Sequence, residues 1–288
     1  MQDPPVPSAA VVVGIDGSRS ALDAALWAVD EAASRDVPLR LVCAVDPDDS
    51  SSTDPPAVAR SLAVAEAAVR SAFAAVESMG TPVKLEAEVL QIRPSRALIA
   101  LSKSAVMLCV GDMGLRQSGY RWIGSTAAAV ATSAHCPVAI VRAYDRRPDH
   151  GWVVAELDDS PASTTVLQSA VDEALLRAAP LRVLTNWQSR FTDIYDNRAV
   201  AKGNRQAKAK VERQLVQWKS RYPDVDVEAV AMHGNTLNYL TEYADCIQLL
   251  VVSHERAREI KNLVGPPGCA SLHEAGCSVL FCQPQNVL

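Results

Sequence analysis

Three glycines, Gly111, Gly114 and Gly124, stand ahead of Ser125 and Thr126 with the spacing of a loop built to approach an anion. Without a Cβ, the backbone at Gly111 and Gly114 is able to turn several N–H groups toward a ligand. Gly124-Ser125-Thr126 opens a helical stretch, and the first N–H groups of a helix lack internal partners and carry partial positive charge. A phosphate chain suits both ends. Arg116 and Arg121 lie between them and are expected to neutralise part of its charge, while the Ser125 and Thr126 hydroxyls donate to phosphate or cap the helix. Asp112 alone is a thin basis for a divalent ion such as Mg2+. The loop is neither a Walker A sequence, which needs Gly-Lys-Ser/Thr, nor a G-x-G-x-x-G turn. His135, His150, His233, His254 and His273 show no metal-binding spacing and there is no G-x-S-x-G elbow, so no catalytic or metal-ligating residue is assigned.

The elements that position this loop repeat. VVVGIDGSRS at residues 11–20 is echoed by VVAELDDSPA at residues 153–162, and the same offset of 142 places Asp16 on Asp158 and Pro38-Leu39-Arg40 on Pro180-Leu181-Arg182. Near the end the offset becomes 141, where Cys136-Pro137-Val138 meets Cys277-Ser278-Val279, so one loop of the second copy is a residue shorter. In the first copy, strands over residues 10–15, 39–45, 82–90, 107–110 and 138–141 alternate with helical stretches near 20–29, 58–78, 94–105 and 125–134. Ser20 to Asp23 has capping-box spacing. Such alternation predicts an α/β fold in two tandem domains, each a five-stranded, mainly parallel open sheet with helices on both faces. The domains are expected at residues 8–143 and 151–284, joined by the polar linker 144–150. In open sheets of this kind ligands bind beyond the carboxyl ends of the strands, which is where Gly14-Ile15-Asp16 and the glycine loop fall.

Glycine, two residues, glycine, nine residues, glycine and serine: on this spacing, on the opening VVVGIDGS and on Cys136-Pro137-Val138, the sequence resembles the ATP-binding branch of the universal stress protein family, twice over, as in its tandem bacterial members. The resemblance implies two adenine-nucleotide-binding-like domains and a role in the stress response as a non-enzymatic, or very slow, ATP-binding regulator. It implies that Asp16 hydrogen-bonds the adenine or ribose with Gly14 nearby, that Val45 packs on the base, and that Gly111, Gly114, Gly124, Ser125 and Thr126 hold ribose and phosphates. It further implies pairing of the last strands, as a pseudo-dimer of the two domains or a homodimer. Ile92-Arg93-Pro94 departs from the family's glycine-x-proline.

The second copy is altered where the ligand would lie. The repeat puts Ser253 on Gly111, Arg256 on Gly114, Gly265-Pro266 on Gly124-Ser125, Trp187 on Val45 and Glu156 on Gly14, so that Asp158 and the third glycine are retained. An indole fills the base position, a carboxylate repels phosphate, and proline removes an N–H, so the second copy is expected not to bind ATP. Its basic run, residues 198–221, carries eight Lys/Arg and one Glu with apolar residues at helical spacing, the solvated face of an amphipathic helix.

The formal net charge of −5 argues against life on nucleic acid or anionic lipid, and no apolar run approaches the ~20 residues that span a bilayer. Residues 1–8 lack the character of a signal peptide, which points to the cytoplasm. Seven cysteines without a C-x-x-C pair read as reduced core residues. Two other readings stand beside the regulator: an interaction scaffold without nucleotide, and an adenylating enzyme of a related α/β fold, whose H-x-G-H and S-G-G-x-D-S motifs are missing here.

Overall fold

The computed structural model describes residues 9–47, 55–115, 123–142, 144, 151–187, 197–234, 236–258 and 277–283. The chain divides into two compact units, Met1–Asp145 and Arg146–Leu288. In the first, β1 (Val11–Ile15), α1 (Arg19–Ser34), β2 (Leu39–Ala44), α2 (Pro55–Glu77), β3 (Leu85–Leu90), α3 (Pro94–Leu101), β4 (Met107–Gly111), α4 (Ser125–Ser133) and β5 (Val138–Val141) follow one another. Their sheet has the order β3-β2-β1-β4-β5, and each pairing is parallel. Strands covered by helices on both faces must be apolar throughout, and Val11, Val13, Leu39, Leu41, Leu108 and Cys109 are fully buried. The edge strand β3 is only half-buried and carries Glu86 and Glu88, charges that discourage further pairing.

The second unit repeats this design with β6 (Trp152–Leu157), α5 (Ser163–Leu176), β7 (Leu181–Trp187), α6 (Asn197–Arg221), β8 (Val227–His233), α7 (Thr236–Glu242), a 3-10 turn (Ala244–Cys246), β9 (Ile247–Ser253), α8 (His254–Arg258) and β10 (Ser278–Cys282). Its parallel order is β8-β7-β6-β9-β10. Strand register carries the offset of the sequence repeat. Val11 pairs with Leu39 and Met107, and Val153 with Leu181 and Leu249. Leu108 pairs with Val138, and Leu250 with Val279, so the lost residue falls between β9 and β10.

Smaller features repeat as well. Asp36 and Ala178 both take left-handed φ, +52° and +48°, after the first helix of each unit. Buried Glu31 pairs with Arg35, and buried Glu173 with Arg177, one helical turn apart. Helix α1 begins at Arg19, and its cap is Ser18, whose Oγ accepts the Ala21 N–H at 3.1 Å. The capping-box reading of Ser20 to Asp23 is therefore corrected: Asp23 pairs with Arg19 at 3.2 Å, and Ser20 turns to the β4 loop.

Candidate functional site

From β1 the first unit builds outward through β2 to β3, then returns to the other side of β1 with β4 and β5. A crevice therefore opens beyond the carboxyl ends of β1 and β4, the place where an open parallel sheet takes a ligand. Asp16, one residue past β1, meets the segment leaving β4 there. Its Oδ1 accepts the Ser18 N–H at 2.9 Å and its Oδ2 the Leu115 N–H at 3.2 Å, so one exposed carboxylate ties the two loops together. Helix α1 pins the neighbouring Met113 peptide. Ser20 Oγ donates to the Met113 carbonyl and accepts its N–H at 3.3 Å, while Ser18 Oγ donates to the same carbonyl at 3.3 Å.

That seating separates the roles of the glycines. A Cβ on Gly111 would lie 2.5 Å from the carbonyl carbon of Ser20 and 2.7 Å from Ala21 N, so Gly111 admits the first turn of α1. A Cβ on Gly114 would lie 2.8 Å from Asp16 Oδ2, so Gly114 keeps the carboxylate in place and the mouth of the loop open. At Gly14 the obstacle would be Leu98 of α3, at 2.9 Å, which makes it a packing position. Val45 is half-buried just past β2, with its N–H donating to Leu90 O at 2.8 Å. Nearby Cys43 is held as a thiol, pushed up to about 11 by burial and by the negative charge of Asp16.

The other arm of the site is α4. Gly124 N–H donates to the Asp112 carbonyl at 2.7 Å, which closes the base of the loop and starts α4 beside the exit of β4. Gly124 is itself the N-cap and offers no side chain, so the first N–H groups of α4 have no capping acceptor from it. Ser125 is exposed there and Thr126 half-buried. Arg116 and Arg121 lie outside the described residues. Burial pushes the Asp112 carboxyl up, against the pull of Arg142, whose Nε stands 3.7 Å away. Among the described residues no group of three His, Cys, Asp or Glu side chains is gathered for a metal. A carboxylate has about four acceptor sites, and two of those on Asp16 are taken. Among the described residues the crevice thus presents acceptor capacity at one end and a helix N-terminus without a side-chain cap at the other, which fits a ligand with a hydroxyl or amino edge and a phosphate.

The second unit fills the corresponding crevice with its own side chains. Arg256, in α8, donates from Nη2 to Glu156 Oε1 at 2.5 Å. Asn186 Nδ2 and Thr236 Oγ1 donate to the same oxygen at 2.8 and 2.7 Å. Glu156 is thus paired rather than repulsive, and the obstacle to a phosphate here is occupation by the guanidinium. Trp187 donates from Nε1 to Asn204 Oδ1 at 2.6 Å, packs on His233 with ring centres 4.7 Å apart, and lies over Gly203 of α6 inside the space a Cβ would take. Asp158 serves the start of α5, its Oδ1 accepting from Ser160 N and Ser163 Oγ at 3.0 Å each. Gly265 and Pro266 lie outside the described residues. Sequence reasoning missed the contacts of Ser18 and Ser20 with Met113, and missed Asn186, Thr236, Gly203 and Asn204 altogether. A glycine seven residues into a long helix, sixteen past a tryptophan, was the one legible signal among them.

A sequence model of the universal stress protein family matches residues 9–142. Two universal stress proteins of Mycobacterium tuberculosis are 46% and 38% identical to this chain over 273 and 272 residues, each alignment covering 94% of both chains. Among solved structures, a universal stress protein from Archaeoglobus fulgidus covers 96% of this chain and 97% of its own with a TM-score of 0.70; at 13% identity that likeness is one of fold.

Proposed function

The chain belongs to the universal stress protein family, and we propose that its first unit binds an adenine nucleotide, ATP, as a regulatory ligand rather than a substrate, so that occupancy sets the conformation or partners of a stress-response protein. The observation that carries this reading is the pairing of two closures: Asp16 to Leu115 across the mouth of the crevice, and Gly124 to Asp112 at the base of the phosphate loop. Together they hold an acceptor carboxylate and the α4 N-terminus within one crevice. Asp16, with Gly14 and Val45 beside it, receives the nucleoside; Gly114, Gly124, Ser125 and Thr126 receive the phosphates, with Arg116 and Arg121 supplying positive charge. Gly111 contributes by admitting α1. Binding rather than turnover is supported by the placement of the acids, since Asp16 is held by two N–H groups and Asp112 is buried beside Arg142. Mg2+ enters only with the nucleotide. The expected compartment is the cytoplasm.

The test is calorimetric titration of the full chain with ATP. Gly114→Asp places a second carboxylate against Asp16 and the phosphates, and its expected cost is about 100-fold in Kd or more, roughly 2.7 kcal/mol. Ser125→Ala, which removes one charge-assisted hydrogen bond, is expected to cost about tenfold. Unchanged affinity in both variants, with circular dichroism showing them folded, would overturn the reading. Exchange of labelled pyrophosphate into ATP would instead mark an adenylating enzyme.

A further inference from the structure

Helix α6 is the part of the molecule that the nucleotide reading does not use. It carries eight Lys/Arg against one Glu, while the chain as a whole has a net charge of −5; removing the helix's +7 leaves −12 for everything else. The molecule contains its own control. Helix α2 is the counterpart in the first unit, and there Arg60 and Arg70 balance Glu66 and Glu77. The inward faces correspond: Val69 and Val211 are both buried, and Leu215 stands fully buried where α2 has Phe73. The outward face is what differs, for the repeat sets Arg205 on Ala63, Lys208 on Glu66, Arg213 on Ser71 and Lys219 on Glu77. A neutral face therefore serves this position in the fold.

The basic face also opposes helix stability. Arg198 with Lys202, Lys202 with Arg205, Arg205 with Lys208, and Lys210 with Arg213 are like-charge pairs three or four residues apart, an arrangement that weakens a helix. Among the described residues, Lys210 pairs with Asp159 and Lys208 with Glu228, the latter at 4.0 Å. Lys202, Arg205, Arg213 and Lys219 are exposed and have no acidic partner among the described residues. Gln206, Gln214, Gln217 and Ser220 are exposed on the same helix and supply hydrogen-bonding groups.

We infer that the outward face of α6 is a docking surface for an acidic segment of a partner protein, whose carboxylates pair with Lys202, Arg205, Arg213 and Lys219. Twenty-five residues of helix span about 37 Å at 1.5 Å per residue. A nucleic acid longer than that runs off the helix onto a chain that is otherwise −12, whereas an acidic stretch of ten to fifteen residues ends where the positive charge ends. A lipid surface is disfavoured by the same balance, and because the apolar face of α6 is already buried against its own sheet.

Fluorescence anisotropy with a labelled fifteen-residue Asp/Glu-rich peptide tests this on the full chain. The expected result is binding that weakens at least tenfold between 50 and 200 mM salt and at least tenfold in the quadruple variant Lys202→Ala, Arg205→Ala, Arg213→Ala, Lys219→Ala. None of the four contacts the core, so ATP affinity should match that of the parent, and relief of the like-charge pairs should leave thermal unfolding no lower than the parent's. Equal peptide binding by parent and variant overturns the inference. So does a fifteen-nucleotide RNA or an anionic phospholipid vesicle that binds the parent more tightly than the peptide does. An Asn/Gln peptide of the same length is expected not to bind, and its binding as tightly as the acidic one overturns the inference too.

Discussion

Glu86 shows how far a single charge can be read. Lys84 donates to its Oε1 at 2.8 Å and Arg40 to its Oε2 at 2.8 and 2.9 Å, and these hydrogen bonds hold its carboxyl below the ordinary carboxylate range. A carboxyl whose folded pKa is lowered contributes stability that is fully present above its unfolded value and is lost as pH falls through the folded one. Glu86→Gln is therefore expected to cost about 1 kcal/mol near neutrality, with the gap to the parent closing in acid; denaturant melts at several pH values read it out. A constant gap would mean that shape, not charge, matters there. Asp112 has the opposite sign, since burial raises its pKa, and its contribution is fully present below the unfolded value and is lost as pH rises through the folded one. The repeat makes Arg40 with Glu86 legible in the sequence, because Arg182 with Glu228 recurs at the same offset and pairs at 3.3 Å. Gly111 was less legible. By sequence it and Gly114 look alike, and what separates them is the first turn of α1, some ninety residues earlier in the chain, which takes the Cβ space of one and not the other.

At the scale of elements, the alternation of strand and helix, the continuous apolar runs and the shared offset carried the element sequence and the parallel class of both sheets, while strand order, which depends on contacts far apart in the chain, was read only from the structure. Helix ends were less accessible, because capping depends on which serine the turn presents: Ser18 caps α1, while Ser20 is drawn to Met113. Filling of the second crevice was legible at Trp187 and Arg256, whose positions the repeat fixes, but not at Asn186 and Thr236, which reach Glu156 only after the sheet has formed. Helix α6 bears on this crevice through Gly203. Glycine inside a helix costs about 1 kcal/mol relative to alanine, yet here the indole of Trp187 occupies the space a methyl would need. Gly203→Ala is accordingly expected to lose about 1 to 3 kcal/mol of stability despite the better helix former. Trp187 fluorescence should shift to the red as the ring loses Asn204 and His233. A stabilised variant with an unaltered spectrum would show that the indole does not rest on α6.

For the whole molecule, two units equal in register are unequal in what fills their crevices. The first presents Asp16, Gly114 and the open N-terminus of α4; the second presents Arg256 on Glu156, and Trp187 where the first has Val45. A nucleotide entering the second crevice would have to break the Glu156 cluster, leaving a buried carboxylate without its cation, a change that costs several kcal/mol in general. The expected stoichiometry is one ATP per chain, measured as a single added nucleotide mass in native mass spectrometry of the full protein. Thermal unfolding makes the same point independently. A ligand at 100 times its Kd stabilises what it binds by about 2.7 kcal/mol, so where the two units melt as separate transitions ATP should raise one and leave the other in place. Arg256→Gly frees the position of Gly114 but leaves Trp187 seated, so it should lower the melting of the second unit without adding a nucleotide. Two ATP per parent chain, or a shift of both transitions, would show that the second crevice opens to ligand despite its own side chains.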